Sequence, residues 1–320
     1  MTNPFSYTPE LDNQIAPAVS RVLNQDVRSA QRITRGEYNH VYKVVTNKQS
    51  VIARVFRMDG WPEVEKPSWL EAKLSELNIP HAKLLYHSRG DEFFPYGFMI
   101  TEYLEGQSGW EAIDSGKIDF SKFHEKLSHI LARVHGIKAD KYGSLTDKDE
   151  QRSSFVDWKL HKLEKSWKKS QSVTSYDTAL FQEVKEKTIT VLREMESKFT
   201  PVLMHGDASP DNCVIGDSGE VILVDWDSAQ ASIWVNDYSY IMYWGSHMSS
   251  LGLRTERAEK IFQSSGEITK NTDFSEGELK RIIQALHILQ AVDLLPYYYF
   301  EQKNMEAYEN TKLRLGELVK

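Results

Sequence analysis

Cysteine is nearly absent from this 320-residue chain: Cys213 stands alone, which excludes an internal disulfide framework and any zinc site built on cysteine pairs. Such usage agrees with a reducing compartment, and Cys213 reads as a small strand residue. No uninterrupted apolar run is long enough to span a bilayer, and Met1-Thr2-Asn3-Pro4-Phe5 lacks the basic region and apolar core of a secretory leader. A soluble, cytoplasmic protein without a membrane partner is therefore expected. Positive charge is not in excess: 39 Lys and Arg against 46 Asp and Glu give a formal net charge of -7, which disfavours nucleic acid as a partner. A neutral or cationic small molecule is easier to admit. Also missing are the Gly-x-x-x-x-Gly-Lys-Ser/Thr phosphate loop, the His-Glu-x-x-His zinc helix and the Gly-x-Ser-x-Gly nucleophile elbow. No internal repeat or low-complexity tract stands out.

What is present is concentrated in one stretch. His205-Gly206-Asp207 is followed by Asn212, and Asp225 lies within Val224-Asp225-Trp226-Asp227. Asn212 precedes the apolar run Cys213-Val214-Ile215, Gly216-Asp217-Ser218-Gly219 supplies turn chemistry, and Val221-Ile222-Leu223-Val224 is a second β-rich run. The pattern predicts a hairpin whose closure brings Asn212 and Asp225 together across twelve intervening residues, with Asp207 on the loop before them. An amide oxygen and a carboxylate suit magnesium, which prefers oxygen ligands and completes its shell with water and substrate phosphates; zinc would want nitrogen and sulfur. Asp207 is then left for another task, accepting the proton of an attacking hydroxyl. The competing reading is that Asp207, Asn212 and Asp225 are turn and cap residues, which Asp and Asn often are.

These residues resemble the signature of the aminoglycoside phosphotransferase and choline kinase-like family, whose catalytic segment reads His-Gly-Asp, four residues, Asn, then Asp on the next strand. The resemblance implies an α+β, bilobal protein-kinase-like fold: a small antiparallel-sheet lobe with one main helix (1–104, nucleotide binding) and a larger, mainly helical lobe (105–320, catalysis and acceptor binding). It further implies Asp207 as catalytic base, Asn212 and Asp225 as Mg2+ ligands, a supporting role for His205, and ATP or GTP as co-substrate. Other segments extend it from about residue 30 to about residue 240. Gly36-Glu37-Tyr38-Asn39-His40-Val41-Tyr42-Lys43 looks like the nucleotide-covering hairpin, and Val51 to Phe56 like the next strand, with Arg54 where protein kinases place lysine. The arginine fork can hold α- and β-phosphate oxygens. Glu71 resembles the helix glutamate that pairs with that cation, and Glu102, Tyr103 and Leu104 the hinge whose backbone meets the adenine edge. Leu131-Ala132-Arg133-Val134-His135 resembles a family helix end, and Asp237 the aspartate that braces the catalytic loop. Two departures are visible: the covering loop holds only Gly36, and Val224-Asp225-Trp226-Asp227 lacks the glycine that follows Asp-Phe in protein kinases. The second favours a small-molecule kinase without a regulatory switch there.

Local readings complete the picture. A helix is predicted from near Pro67 to before Pro80, others over the stripes Phe120 to Val134 and Leu180 to Met195, and one more behind the capping box of Ser275 and Glu278. The five lysines of 159–169 read as a solvated helix face, and Tyr297-Tyr298-Tyr299-Phe300 as core packing more than as a stacking wall for a sugar or quaternary ammonium. His205 reads as shaping its loop rather than titrating. Asp227 either touches metal-bound water or braces the loop, Asp237 is structural, and Arg54 with Glu71 has an ordinary surface pair as its bland alternative. The expected activity is transfer of the γ-phosphoryl group to a hydroxyl of a small molecule, an aminoglycoside or similar antibiotic leading and conferring resistance. Choline, methylthioribose, homoserine and a catalytically silent nucleotide-binding protein are the alternatives. A polycationic acceptor would use carboxylates such as Asp211, Asp227, Glu267, Asp273 or Glu301.

Overall fold

The structure, a computed structural model, describes residues 9–33, 39–58, 62–63, 65–90, 93–171, 178–247 and 273–319. Gly36 and Glu267, singled out in the sequence, lie outside the described residues. The first described element is helix α1 (Pro9–Leu23), followed by strands β1 (Val27–Ile33), β2 (Asn39–Thr46) and β3 (Ser50–Phe56), helix α2 (Lys66–Glu76), and strands β4 (Leu84–His87), β5 (Phe98–Glu102) and β6 (Gln107–Ser108). Next come helices α3 (Gly109–Asp114) and α4 (Phe120–Val134), strands β7 (Tyr142–Gly143) and β8 (Gln151–Arg152), and helices α5 (Phe155–Gln171), α6 (Thr178–Lys185) and α7 (Val191–Met195). Strands β9 (Val202–Met204), β10 (Cys213–Ile215), β11 (Val221–Leu223) and β12 (Gln230–Ser232) precede helices α8 (Val235–His247), α9 (Glu276–Pro296) and α10 (Met305–Leu318).

The chain divides into two compact units, Met1–Lys117 with Pro210–Ser228, and Ile118–Ser209 with Ala229–Lys320. In the first, five antiparallel strands run in the order β1-β2-β3-β5-β4. The two-residue period of a strand sorts β3 cleanly. Val51, Ala53 and Val55 join Tyr42, Val44, Phe98 and Ile100 in a core covered by Leu11, Ile15, Ala18 and Val19 of α1, while Ile52 and Arg54 point to the opposite face and line a cavity. Helix α1 was not anticipated beside the one main helix, although its apolar residues recur at helical spacing. The hairpin predicted around Asn212 is present, with Cys213 opposite Leu223 and Ile215 opposite Val221, and β6 extends it to a three-stranded sheet.

The second unit is mainly helical. Asp119 caps α4 by accepting the N–H groups of Ser121 and Lys122, and the helix buries Phe123, Leu127, Leu131 and Val134 as its spacing predicts. Helices α5 and α9 pack together through a core that includes Trp158, Leu163, Trp167, Ile282, Leu286 and Leu289. Both capping-box bonds of Ser275 and Glu278 start α9. Two expectations change. The stripe from Leu180 to Met195 is interrupted by a π-helical turn at Glu186–Thr190, where the buried Thr188 hydroxyl donates to the Val184 carbonyl at 2.7 Å. The lysine face of α5 is only partly solvated, since the ammonium groups of Lys159 and Lys162 lie 4.8 and 5.3 Å from the Trp158 ring centroid.

Candidate active site

The open end of the β10–β11 hairpin is closed by the Val224 N–H, which donates to the Asn212 carbonyl at 2.9 Å. The next residue, Asp225, has φ of +62°, a left-handed conformation that aspartate tolerates better than most residues and that turns the chain out of the strand. Asn212 and Asp225 thus flank the same hairpin end and line the same cavity, of about 450 Å3, within the first unit. Their donor set, an amide oxygen and a carboxylate whose side chain is 44% exposed, fits a hard divalent cation that keeps water and phosphate ligands. Among the described residues no group of three His, Cys, Asp or Glu side chains could hold an ion.

Arg54 reaches this end from β3. One of its terminal nitrogens donates to Asp225 Oδ1 at 2.9 Å and to Asp227 Oδ2 at 2.7 Å. Burial works against the guanidinium charge, but the two carboxylates outweigh it and hold the pKa above its usual value, so Arg54 is a fixed cation. Burial pushes the Asp227 carboxyl up, against the pull of Arg54 and with the push of Asp225. Asp227 also accepts the Asn39 side-chain amide at 2.8 Å, and its backbone carbonyl accepts the buried Lys66 ammonium at 3.0 Å.

The rest of the cavity is mostly apolar. Ile33, Val41 and Ile52 come from the sheet, Leu70 and Leu74 from α2, and Val214 and Leu223 from the hairpin. Thr101, Glu102, Tyr103 and Leu104 form an edge of it. Within that edge the Glu102 N–H donates to the Lys83 carbonyl at 2.9 Å, the Tyr103 N–H donates to the Ser50 carbonyl at 3.4 Å, and the Lys43 ammonium sits 3.6 Å from the Tyr103 ring centroid. The cavity is thus apolar along most of its lining and polar at the end that holds Arg54, Lys66, Asn212, Asp225 and Asp227.

In the second unit, Asp237 organises the His205-Gly206-Asp207 turn. Its carboxylate accepts the His205 N–H at 3.0 Å, the Gly206 N–H at 2.8 Å and the His135 ring at 2.9 Å. Gly206 has φ of +82°, which a side chain would strain, and that conformation aims its N–H at Asp237. Burial raises the Asp237 carboxyl, yet these donors and the His135 charge override it and keep the pKa below the usual carboxylate range. His205 is fully buried, and its Nδ1 accepts the Asp207 N–H at 3.3 Å. Tyr240, on α8, is pushed upward by burial and then by the negative charge of Asp207.

The anticipated pairing of Arg54 with Glu71 is not formed. Glu71 is occupied at the other end of α2, accepting the Leu84 N–H at 2.7 Å, the Ser75 hydroxyl at 2.9 Å and His81 Nε2 at 3.2 Å, while Arg54 is taken by Asp225 and Asp227. Asp227 accepts Arg54 and Asn39, Asp211 accepts Trp110 Nε1 at 3.2 Å, and Glu301 pairs with Lys169 at 2.9 Å. Tyr298 is buried in the helical core, and Tyr297 accepts a bond from Gln302. Lys66 was not recognised from sequence. A lysine preceding a helix-starting proline carries no signal of burial, and only the packing puts its ammonium group on the hairpin.

No curated protein matches the chain. Among solved structures, a thermostable mutant of the aminoglycoside phosphotransferase APH(4)-Ia, in a ternary complex with AMP-PNP and hygromycin B, superposes with a TM-score of 0.72 at 11% identity, covering 96% of this chain and 97% of that one. The choline kinase LicA from Streptococcus pneumoniae gives 0.65 at 13% identity over 97% and 99%. At such identities the likeness is one of fold, and the fold is protein-kinase-like. The family model of the APH phosphotransferase enzymes matches residues 29–260, a span that takes in Arg54, Glu102 to Leu104, the His205-Gly206-Asp207 turn, the hairpin and Asp237. With most of its length so matched, the chain belongs to the phosphotransferase enzyme family, and it is a small-molecule kinase.

Proposed function

We propose that the protein transfers the γ-phosphoryl group of ATP, or of GTP, to a hydroxyl of a small molecule, with an aminoglycoside or similar antibiotic as the leading acceptor. The observation that carries this is the convergence of Arg54, Asn212 and Asp225 at the polar end of an apolar slot edged by Glu102, Tyr103 and Leu104. In this reading residues 1–104, joined by the hairpin segment 210–228, contribute the nucleotide-facing parts, and the rest of 105–320 the catalytic and acceptor-binding parts. The base lies in the slot against Ile33, Val41 and Ile52. The N–H groups of Glu102 and Tyr103 are already used, so the N–H that meets its edge is that of Leu104, beside the backbone carbonyls of 102–104. The Arg54 fork binds phosphate oxygens, and Asn212 and Asp225 would hold Mg2+, which when bound neutralises phosphate charge. Asp207 accepts the proton of the attacking hydroxyl, held in place by His205 and by Asp237 through the turn they fix. Fixed charges and positioning supply most of the rate, because phosphoryl transfer asks little covalent chemistry of the protein.

No helix among the described residues is long and apolar enough to cross a membrane, and we place the reaction in the cytoplasm, where an antibiotic acceptor would make it a resistance activity. The test is a transfer assay with γ-labelled ATP and Mg2+ against aminoglycosides, choline, methylthioribose and homoserine. Label moving to an aminoglycoside supports the leading reading, and label moving to another member reassigns the acceptor. Magnesium-dependent nucleotide binding with no transfer across the panel would identify a catalytically silent member instead.

A further inference from the structure

In this chain helix α2 is tied to the polar end of the cavity by its first residue rather than by its glutamate. The Lys66 side chain is 3% exposed, and its ammonium donates to the Asp227 carbonyl at 3.0 Å and lies 3.5 Å from Glu63. Asn39, at the start of β2 and 4% exposed, donates its amide to Asp227 Oδ2 at 2.8 Å. Asp227 Oδ2 is also the oxygen that takes the Arg54 guanidinium at 2.7 Å. Three separate elements, β2, β3 and the start of α2, therefore meet on one aspartate two residues beyond Asp225. Glu71 takes no part in this, being bound to Ser75, His81 and Leu84.

We propose that Lys66 and Asn39 are positioning residues: by holding the backbone and the carboxylate of Asp227 they set the Arg54 fork beside Asp225. The physical reason is geometric. A carboxylate free to rotate would let the long arginine side chain sample many rotamers, whereas one whose oxygen is fixed by Asn39 and whose main chain is fixed by Lys66 presents a single acceptor direction. A buried ammonium on a main-chain carbonyl also pins the segment that follows Asp225, whose φ of +62° must be maintained by its surroundings. The role formed in the resemblance by a helix glutamate on the cation is here carried by a lysine and an amide acting through Asp227.

This inference rests on reading the cavity as the nucleotide site, and the experiment separates the two. Binding of AMP-PNP with Mg2+ and of adenosine is measured by calorimetry for the wild type, Lys66→Met, Lys66→Arg, Asn39→Ala and Glu71→Gln. If Arg54 is positioned as proposed, Lys66→Met and Asn39→Ala each weaken AMP-PNP binding by about 10- to 100-fold, by analogy with the loss when an outer-shell partner of a metal ligand is removed. Adenosine, which lacks the phosphates Arg54 would hold, keeps its affinity and doubles as the check that the variants are folded. Lys66→Arg recovers most of the loss, and Glu71→Gln loses less than either. Equal losses for AMP-PNP and adenosine, no loss at all, or a Glu71→Gln effect as large as that of Lys66→Met overturns the inference. Should Lys66→Met not fold, Asn39→Ala decides by the same criterion. A wild type that binds neither ligand removes the nucleotide reading itself.

Discussion

At the scale of single residues, the chemistry is set by what each carboxylate touches. Asp207 has its backbone N–H on His205, and its proposed task is proton acceptance. Asp207→Asn should therefore lower phosphoryl transfer by about 100- to 10,000-fold, the usual worth of a positioned general base, while calorimetry finds Mg·AMP-PNP binding unchanged. Retained transfer would show that the base is elsewhere. Asp237 is the opposite case, a buried acceptor for two backbone N–H groups and His135. Its replacement by Ala leaves those donors unpaired, and chemical denaturation should register a loss of about 3 kcal/mol or more. The motif His205-Gly206-Asp207 with Asn212 and Asp225 was legible because spacing and turn chemistry are local properties. Lys66 was not, since its burial depends on residues 161 positions away.

At the scale of elements, periodicity was a good guide wherever one face of a helix or strand is buried. The stripe over Phe120 to Val134 became α4, and the Ser275 capping box opens α9 with both reciprocal bonds in place. Ser275→Ala should cost about 1 kcal/mol, read from the denaturation midpoint, because it removes the hydroxyl that accepts the Glu278 N–H at the start of α9. The stripe from Leu180 to Met195 misled in detail. Apolar spacing reports which face is buried, and it is silent on whether a threonine hydroxyl will bond back to a carbonyl and open the π turn at Thr188. Glu71 likewise had the spacing of a partner for Arg54, but the nearer donors Ser75, His81 and the Leu84 N–H hold it on the α2–β4 side.

At the scale of the whole molecule, binding and protonation both become stability. Ligand that prefers the folded chain raises its melting temperature, so Mg·AMP-PNP should shift Tm upward, and chelating the metal with EDTA should remove most of that shift if Asn212 and Asp225 hold the ion. His287, on α9, is held down to about 4 by burial, its ring nitrogen donating to the Ser239 carbonyl of α8. The unfolded chain takes up a proton near the ordinary histidine value of 6.5, which the folded chain refuses until about 4, so stability falls as pH drops through that window. His287→Gln should flatten the Tm profile there, and an unchanged slope would assign the loss to other groups. The sequence by itself determined the α+β class, the hairpin and the identity of the oxygen-bearing residues, because these follow from strand and helix periods, turn residues and spacing within one short stretch. Only the tertiary structure decided that Arg54 turns to Asp225 and Asp227 instead of Glu71, and that Lys66 and Asn39 meet on Asp227. Partner choice among buried charges depends on which side chains packing brings within about 3 Å, a distance that separation along the chain does not encode.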